Sequence, residues 1–356
     1  MAQIGAWAAV ELTVAAVLPS IRAEGYASHA LHSADRHWPT SNCHVDLWIE
    51  VLSSLGHDPC AALGFTARLD FEGDQFTFAK VPSGDLDLLF GIDVQELVVY
   101  RPLEEHVRER ISLGQLPIVE VDGFYLPDTR GTSYRRDHSK TTIAVNRIDV
   151  GTRNLEYFHN EGCFRLTGAD FDGLLGRQTG VTPTSTPTLP PYFEFAKLNT
   201  HQTPAGLAHL AIDRLRHHLA RTPVINPFKR FGSFLSEIGQ RIGGCQNRYH
   251  QIAFVTTRQA GASFELLASH LGWIARNNGP RAEAAMAALL SGAENLTRLQ
   301  FQMARAVNPK AELRFDRALE SLAATYEALF EDLRRTFGRV ETTPRGRPRV
   351  SIAGTA

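Results

Sequence analysis

The sequence predicts an α+β domain followed by a bundle of helices. Up to about residue 200, one helical pattern precedes short segments rich in β-branched and aromatic residues, which turn residues separate. From residue 204 onward, apolar residues recur at spacings of three and four over long stretches. A helix ahead of mostly antiparallel strands gives the α+β class, and the long amphipathic stretches give a bundle of four or five helices.

We divide the chain into four parts on this basis. These parts are an N-terminal extension (residues 1–24), an α+β domain (residues 25–203), a helical bundle domain (residues 204–338) and a tail (residues 339–356). The tail is rich in Thr, Pro, Arg and Gly, which indicates disorder.

The composition excludes several classes of protein. The net charge of −1 gives no argument for nucleic acid or membrane binding by the whole chain. The four cysteines are far apart and form no CxxC pair, so they indicate neither a disulfide framework nor a zinc site. The apolar N-terminus has no basic residue before Arg22 and contains Glu11, so we expect a helix or strand there. We therefore predict a cytoplasmic protein.

The first helix is predicted over residues 41–56. Thr40, Ser41 or Asn42 can cap it, and Gly56 ends it. Cys43 then lies in the first turn, where free backbone N–H groups and the helix dipole favour a thiolate. The alternative for Cys43 is a small buried apolar residue.

Short elements follow in order. Residues 70–75 form an acidic turn, residues 86–90 a short helical or extended segment, residues 103–113 a helix and residues 180–191 a loop or linker. Strands are predicted over residues 76–80, 94–100, 117–121, 141–145, 155–158, 163–166 and 192–197. Long helices are predicted over residues 205–221, 226–242, 249–276, 281–307 and 311–337.

A hairpin centred near Gly151 joins the strands at residues 141–145 and 155–158. It brings His138 and the His159-Asn160 pair to the same end of neighbouring strands, within roughly 5–10 Å. A pairing centre at residue 150 puts His138 and Asn160 on one face, whereas a slip by one residue puts His138 with His159.

Cys43, His138 and Asn160 therefore match the chain order of papain-like cysteine enzymes, as nucleophile, base and orienting residue. His138 and Asn160 have the alternative of being a polar strand end and a turn. The backbone N–H of Cys43, with Asn42 or His37, can form an oxyanion hole, although Asn42 is as readily a helix cap.

Other polar residues near these positions are candidates for substrate binding. Lys140 can attract a phosphate or carboxylate, or can be a solvated charge. The predicted strand at residues 117–121 and the loop at residues 122–128 contain acids and an aromatic residue that can bind an amine or face solvent: Glu120, Asp122, Tyr125 and Asp128. A metal site built on His138 and His159 is a rival chemistry, but no HxxxH or HxH spacing supports it.

Five segments resemble a bacterial family catalogued as domain of unknown function 1839: residues 42–50, 70–75, 125–129, 138–143 and 157–162. The resemblance covers most of residues 25–200. That family is similar, more distantly, to the N-terminal domain of the butirosin-pathway acyltransferase, a papain-like enzyme that moves an aminoacyl group from an acyl carrier protein to an amine. Cys43 and His138 match the residues of the relatives well. At the position of Asn160 the distant relatives tend to have an Asp, and His159 is adjacent.

The resemblance implies a papain-like acyltransferase whose substrate is a carrier-protein thioester and whose acceptor is a small amine. It implies no cofactor of the enzyme's own, because the acyl group is carried on the phosphopantetheine arm of the carrier protein. Two alternatives remain open from the residues. One is a thiol hydrolase or peptidase with the same triad, and the other is a non-catalytic protein that binds a carrier protein or peptide.

Overall fold

A computed structural model describes residues 15–177, 190–199, 206–241, 245–305 and 315–338. Three predicted segments lie outside the described residues: the tail, residues 1–14 of the extension and residues 180–189 of the linker.

The strands form one seven-stranded sheet and one small hairpin, and every pairing is antiparallel. The sheet order is β4-β9-β5-β6-β7-β8, with β1 paired to the far half of β6. The strands are β1 Ala15–Ala16, β2 Phe71–Glu72, β3 Gln75–Phe76, β4 Ile92–Leu97, β5 Gln115–Asp122, β6 Lys140–Asp149, β7 Asn154–His159, β8 Gly162–Thr167 and β9 Phe193–Leu198.

The helices follow the predicted division of the chain. Four helices accompany the sheet: α1 Cys43–Ser54, α2 Ser83–Phe90, α3 Leu103–Ser112 and α4 Ala169–Leu174. A 3-10 helix covers Pro59–Arg68. The C-terminal region is helical: α5 Leu207–Leu219, α6 Pro227–Arg241, α7 Gln246–Arg276, α8 Glu283–Arg305 and α9 Asp316–Phe337. The α+β class with an antiparallel sheet and a helical C-terminal region is therefore confirmed.

The strand predicted over residues 76–80 is wrong, because only Gln75–Phe76 pairs with another strand. The backbone N–H groups that follow bind side chains of helices instead. Ala79 N donates to Gln259 Oε1 on α7, and Val81 N donates to His44 Nδ1 on α1. Residues 77–81 therefore form a connection that lies between α1 and α7.

The two faces of the sheet bury different residues. Ile118, Ala144 and Phe158 pack into the core that contains α1, which contacts β6, β7 and β8. Val119, Ile143 and Tyr157 point to the other face and form a second core with residues of α3 and α4. Because side chains alternate along a strand, each residue of β6 and β7 can be assigned to one face.

The helical region packs directly onto the first half of the chain. Helices α5 and α7 contact the 3-10 helix Pro59–Arg68, and the core around α1 continues into α6 to α9. Trp38 is buried there and its indole N–H donates to Ala293 O on α8 at 3.0 Å.

The hairpin predicted near Gly151 is β6 and β7. Ala144 pairs with Phe158 and Val145 with Tyr157, and the register shifts between Val145 and Arg147. Strand alternation gives residue 160 the same face as Phe158, which is the α1 face that Lys140 shares at the start of β6, whereas His159 has the same face as Tyr157. Asn160 itself has a φ of 45°, so the strand alternation ends there in a turn.

Candidate functional site

Cys43 is the first residue of α1, and Asn42 caps this helix. Asn42 Oδ1 accepts from the N–H groups of His44 and Val45, at 3.0 and 3.1 Å. Asn42 Nδ2 donates to Ala79 O and Gln259 Oε1. The cap interpretation of Asn42 is thus confirmed, and its amide protons are already bound. Cys43 is partly exposed, and no described residue accepts a hydrogen bond from its backbone N–H.

The direction of α1 follows from the residues on its sheet-facing stripe. Cys43, Asp46 and Glu50 share a stripe, since residues three and four apart are neighbours on a helix. Glu50 accepts from Tyr26 OH at 2.6 Å, and the ring of Tyr26 contacts Phe158 of β7.

At the start of α1, Asn42 donates to Ala79 O, and the next residue, Lys80, has its ammonium group 3.6 Å from Glu194 at the start of β9. Because β9 is antiparallel to β5, the N-terminus of α1 lies towards the end of the sheet where β5 stops and β6 starts. Cys43 lies at that end.

His138 lies just before β6, and Asp122 at the end of β5 binds it. His138 Nδ1 is 2.5 Å from Asp122 Oδ2, and Ser139 N donates to Asp122 Oδ1 at 3.3 Å. The imidazole stacks on Phe124 with 4.6 Å between ring centroids. The His138 side chain is 71% exposed, so its free ring nitrogen, Nε2, is accessible to solvent. The Asp122 carboxylate favours the imidazole tautomer in which Nδ1 carries the proton.

Asn160 does not contact His138 in this structure. Asn160 Nδ2 is 3.3 Å from His159 Nδ1, and His159 belongs to the opposite face of the sheet. There His159 Nδ1 is 2.5 Å from Asp128 Oδ2, and His159 Nε2 is 2.7 Å from Thr141 Oγ1. Asp128 also accepts from Tyr157 OH. His159 and Asp128 are both almost fully buried.

The acids predicted to bind an amine therefore do not form one cluster. Asp122 binds His138, Asp128 is buried against His159, and Glu120 Oε1 is 2.6 Å from Lys140 Nζ. Lys140 is 73% exposed, which agrees with a solvated, paired strand charge.

The remaining candidates, Tyr125 and His37, contact residues other than Cys43. The ring of Tyr125 lies against Gly173 on α4, where an added Cβ would be 2.1 Å from the ring. His37 is exposed, and its backbone N–H donates to Glu265 Oε1 at 3.2 Å. Within the described ranges, no three His, Cys, Asp or Glu residues are grouped so that they could hold a metal ion.

The contact between Asp122 and His138 was not found from the sequence, which offered Asp122 only as an amine-binding or solvated acid. The residue that does contact His138 could have been found from pairing: β5 and β6 are antiparallel, and Asp122 is opposite Lys140. Because residues 138 and 140 share a face, an acid at the end of β5 lies within reach of His138.

Burial changes the protonation of the groups behind Cys43. Loss of hydration raises the pKa of Asp46 to about 7, although hydrogen bonds from the backbone N–H and the hydroxyl group of Ser41 oppose the change. Burial likewise raises the pKa of Glu50 to about 7. Burial, with a contribution from the charge of Lys80, lowers the pKa of His44 to about 3. Well below neutral pH, Asp46 and Glu50 therefore place little charge behind the first turn of α1.

Two family models match this chain, over residues 27–198 and 205–335: the DUF1839 N-terminal domain and the DUF1839 C-terminal domain. The chain belongs to the DUF1839 family. The match covers both the sheet domain with Cys43 and His138 and the helical region that packs on it. No curated protein matches the sequence of this DUF1839 protein. In the described part of the chain, every helix is too short or too polar to cross a membrane.

Proposed function

We propose that this DUF1839 protein is a papain-like, cysteine-dependent acyltransferase. One observation carries the proposal. A thiol lies at the N-terminus of α1, towards the end of the sheet where β6 starts, and a solvent-accessible imidazole held by the Asp122 carboxylate lies just before β6. Papain-like enzymes combine a cysteine, a histidine and an orienting group, and such triads are defined by the roles of the residues and not by their order; here the carboxylate precedes the histidine in the chain.

Each residue has a defined role in the proposed reaction. His138 takes the proton of the Cys43 thiol, and the Cys43 thiolate attacks the thioester carbonyl of the donor. The tetrahedral intermediate collapses, the C–S bond to the donor breaks, and the departing thiolate takes the proton from His138. An amine then attacks the acyl-enzyme, gives a proton to His138, and the acyl–Cys43 bond breaks. The Cys43 backbone N–H is available to the oxyanion.

Asp122 takes the orienting role that the sequence assigned to Asn160. A carboxylate at Nδ1 keeps Nε2 of His138 free to accept the thiol proton and stabilises the imidazolium that forms. The proposal therefore names Cys43, His138 and Asp122. The donor we propose is an aminoacyl thioester of a carrier protein and the acceptor is a small amine, in line with the family resemblance.

The test is the pH dependence of Cys43 alkylation by iodoacetamide. Cys43→Ser protein, labelled in parallel, corrects for the other thiols. We expect wild-type Cys43 to react well below pH 8, where a free thiol is mostly protonated, and His138→Ala to remove this advantage. Asp122→Asn should slow the reaction at pH 6 by roughly 10- to 100-fold, less than the ~10⁴ of a buried triad because His138 is exposed.

Asn160→Ala is the matched control for Asp122→Asn, since Asn160 contacts His159 and not His138. It should leave the alkylation profile unchanged. If instead Asn160→Ala abolishes reactivity while Asp122→Asn has no effect, the orienting role belongs to Asn160. A Cys43 that titrates like a free thiol in every variant would rule out the acyltransferase.

The acceptor separates a transferase from a hydrolase. With an aminoacyl-carrier thioester as donor, a transferase releases free carrier faster when an amine is added and forms an amide. A hydrolase releases the carboxylic acid at a rate that does not depend on the amine.

A further inference from the structure

A cleft of about 390 Å³ lies where the first half of the chain meets the helical region. Its walls come from three places: the 3-10 helix Pro59–Arg68, the connection over residues 77–82, and the start of the segment after α5. Ser263 of α7 completes the lining. Both halves of the chain therefore contribute to it.

The cleft has an excess of positive charge. Arg68, Lys80 and Arg221 line it, and Asp70 is its one acidic lining residue. Asp70 is already paired with Arg230, which is 3.3 Å away. No acid among the described residues pairs with Arg68 or with Arg221, whose guanidinium contacts His217 of α5. Two guanidinium groups are thus available to an anion.

The same cleft has an apolar wall. Phe65 and Phe78 line it beside Pro82 and Pro223. Phe78 is 56% exposed, which is high for a large aromatic side chain. A ligand with a charged end and a less polar stem matches this combination better than a bare inorganic ion.

The cleft and the first turn of α1 share one wall. Ala79 lines the cleft, and its carbonyl accepts from Asn42, the residue before Cys43, at 3.0 Å. Lys80 also lines the cleft, and its ammonium group is 3.6 Å from Glu194 at the start of β9. The cleft therefore adjoins the residue that precedes the proposed nucleophile.

We infer that this cleft is the subsite for the phosphate-bearing arm of the acyl donor. Arg68 and Arg221 bind the phosphate through charge-assisted hydrogen bonds, and Phe78 packs against the arm that leads to the thioester. The identity of the donor rests on the proposed function, whereas the phosphate site rests on the lining residues alone. The arm can belong to a free thioester cofactor or to a carrier protein, since both have a phosphate on a thiol-bearing stem.

The experiment compares 4′-phosphopantetheine with pantetheine, which lacks only the phosphate. Binding is measured by calorimetry on the folded Cys43→Ser protein, so no chemistry is required. We expect phosphopantetheine to bind at least ~10-fold more tightly, and Arg68→Ala/Arg221→Ala to remove this difference. Arg248→Ala is the control, because Arg248 is an exposed residue of α7 outside the cleft. This variant should bind phosphopantetheine more tightly than pantetheine, as the parent protein does.

The outcomes separate this inference from the proposed function. Equal binding of the two compounds to the parent protein, or a phosphate preference that survives in Arg68→Ala/Arg221→Ala, overturns the subsite. The binding measurement uses Cys43→Ser protein and does not depend on the reactivity of Cys43. A Cys43 that is unreactive in alkylation therefore counts against the catalytic proposal and not against the subsite. If the double variant loses its helical circular dichroism, each single variant should remove part of the preference.

The source of the arm is tested with the same protein. Coenzyme A represents a free cofactor, and a holo carrier protein, with its apo form as control, represents a carrier-bound arm. If coenzyme A or the holo carrier protein binds, and Arg68→Ala/Arg221→Ala weakens this binding, the result supports the subsite. Failure of both to bind overturns it.

Discussion

Two histidines of this chain each have a carboxylate at Nδ1, but their surroundings differ. His159 is almost fully buried with Asp128, and its second nitrogen is bound to Thr141. His138 is bound to Asp122 and is mostly exposed. A base must exchange protons with a substrate, so the exposed pair suits acid–base chemistry and the buried pair suits positioning of the strand ends.

The raised pKa of Asp46 can be tested through the pH dependence of the free energy of unfolding. Its native pKa of about 7 is above the value of an unfolded aspartate, so the native state keeps a proton between about pH 4 and pH 7 that the unfolded state has released. The stability that Asp46 contributes is thus present at low pH and falls as pH rises through this window. Asp46→Asn does not titrate. We expect the free energy of unfolding of Asp46→Asn, measured in urea and taken relative to wild type, to rise by roughly 2–3 kcal/mol between pH 5 and pH 8.

Asp74→Asn is the control for Asp46→Asn, since Asp74 is exposed in a turn. Its stability relative to wild type should not change with pH. A pH-independent difference for Asp46→Asn as well would show that Asp46 ionises normally in the folded protein.

At the scale of elements, the cap of α1 also joins the two halves of the chain. Asn42→Ala removes the acceptor for the N–H groups of His44 and Val45 and the donor to Ala79 and Gln259. We expect it to lower the free energy of unfolding by about 1–2 kcal/mol in a urea titration. Asn42→Asp keeps the cap and loses the donor, so it should lie between wild type and Asn42→Ala. Equal stability of Asn42→Ala and wild type would mean that solvent replaces the cap.

Local sequence patterns were sufficient for most elements. The cap at Asn42 and the turn near Gly151 are encoded within a few residues, so α1 and the β6–β7 hairpin were predicted. The strand predicted after Phe76 failed because its N–H groups bind Gln259 and His44, which are far away in sequence. The contact between Asp122 and His138 was missed for the same reason, since it spans a loop that has no simple periodicity.

At the scale of the molecule, a buried ion cluster links the sheet domain to the helical region. Asp85 of α2 binds both Arg214 and His218 of α5, at 2.7 Å each. Burial alone would raise the pKa of Asp85, but His218 and Arg214 outweigh it and lower the pKa below its ordinary value. The sequence shows these residues only as an acid near the start of one helix and a basic stretch on another. Their pairing depends on how the two regions dock.

Removal of Asp85 should therefore weaken the contact between the two regions. In Asp85→Ala, both Arg214 and the fully buried His218 lose the carboxylate that they contact. Removal of one partner of a buried pair lowers the free energy of unfolding by about 3–5 kcal/mol. We expect the midpoint of urea unfolding, followed by helical circular dichroism, to fall below that of wild type. Asp213→Ala removes an exposed ion pair with Arg216 on the same helix and should change stability by less than ~0.5 kcal/mol. If Asp85→Ala unfolds at the wild-type midpoint in one transition, docking of the two regions rests on apolar contacts such as Trp38 against Gly261, and not on the ion cluster.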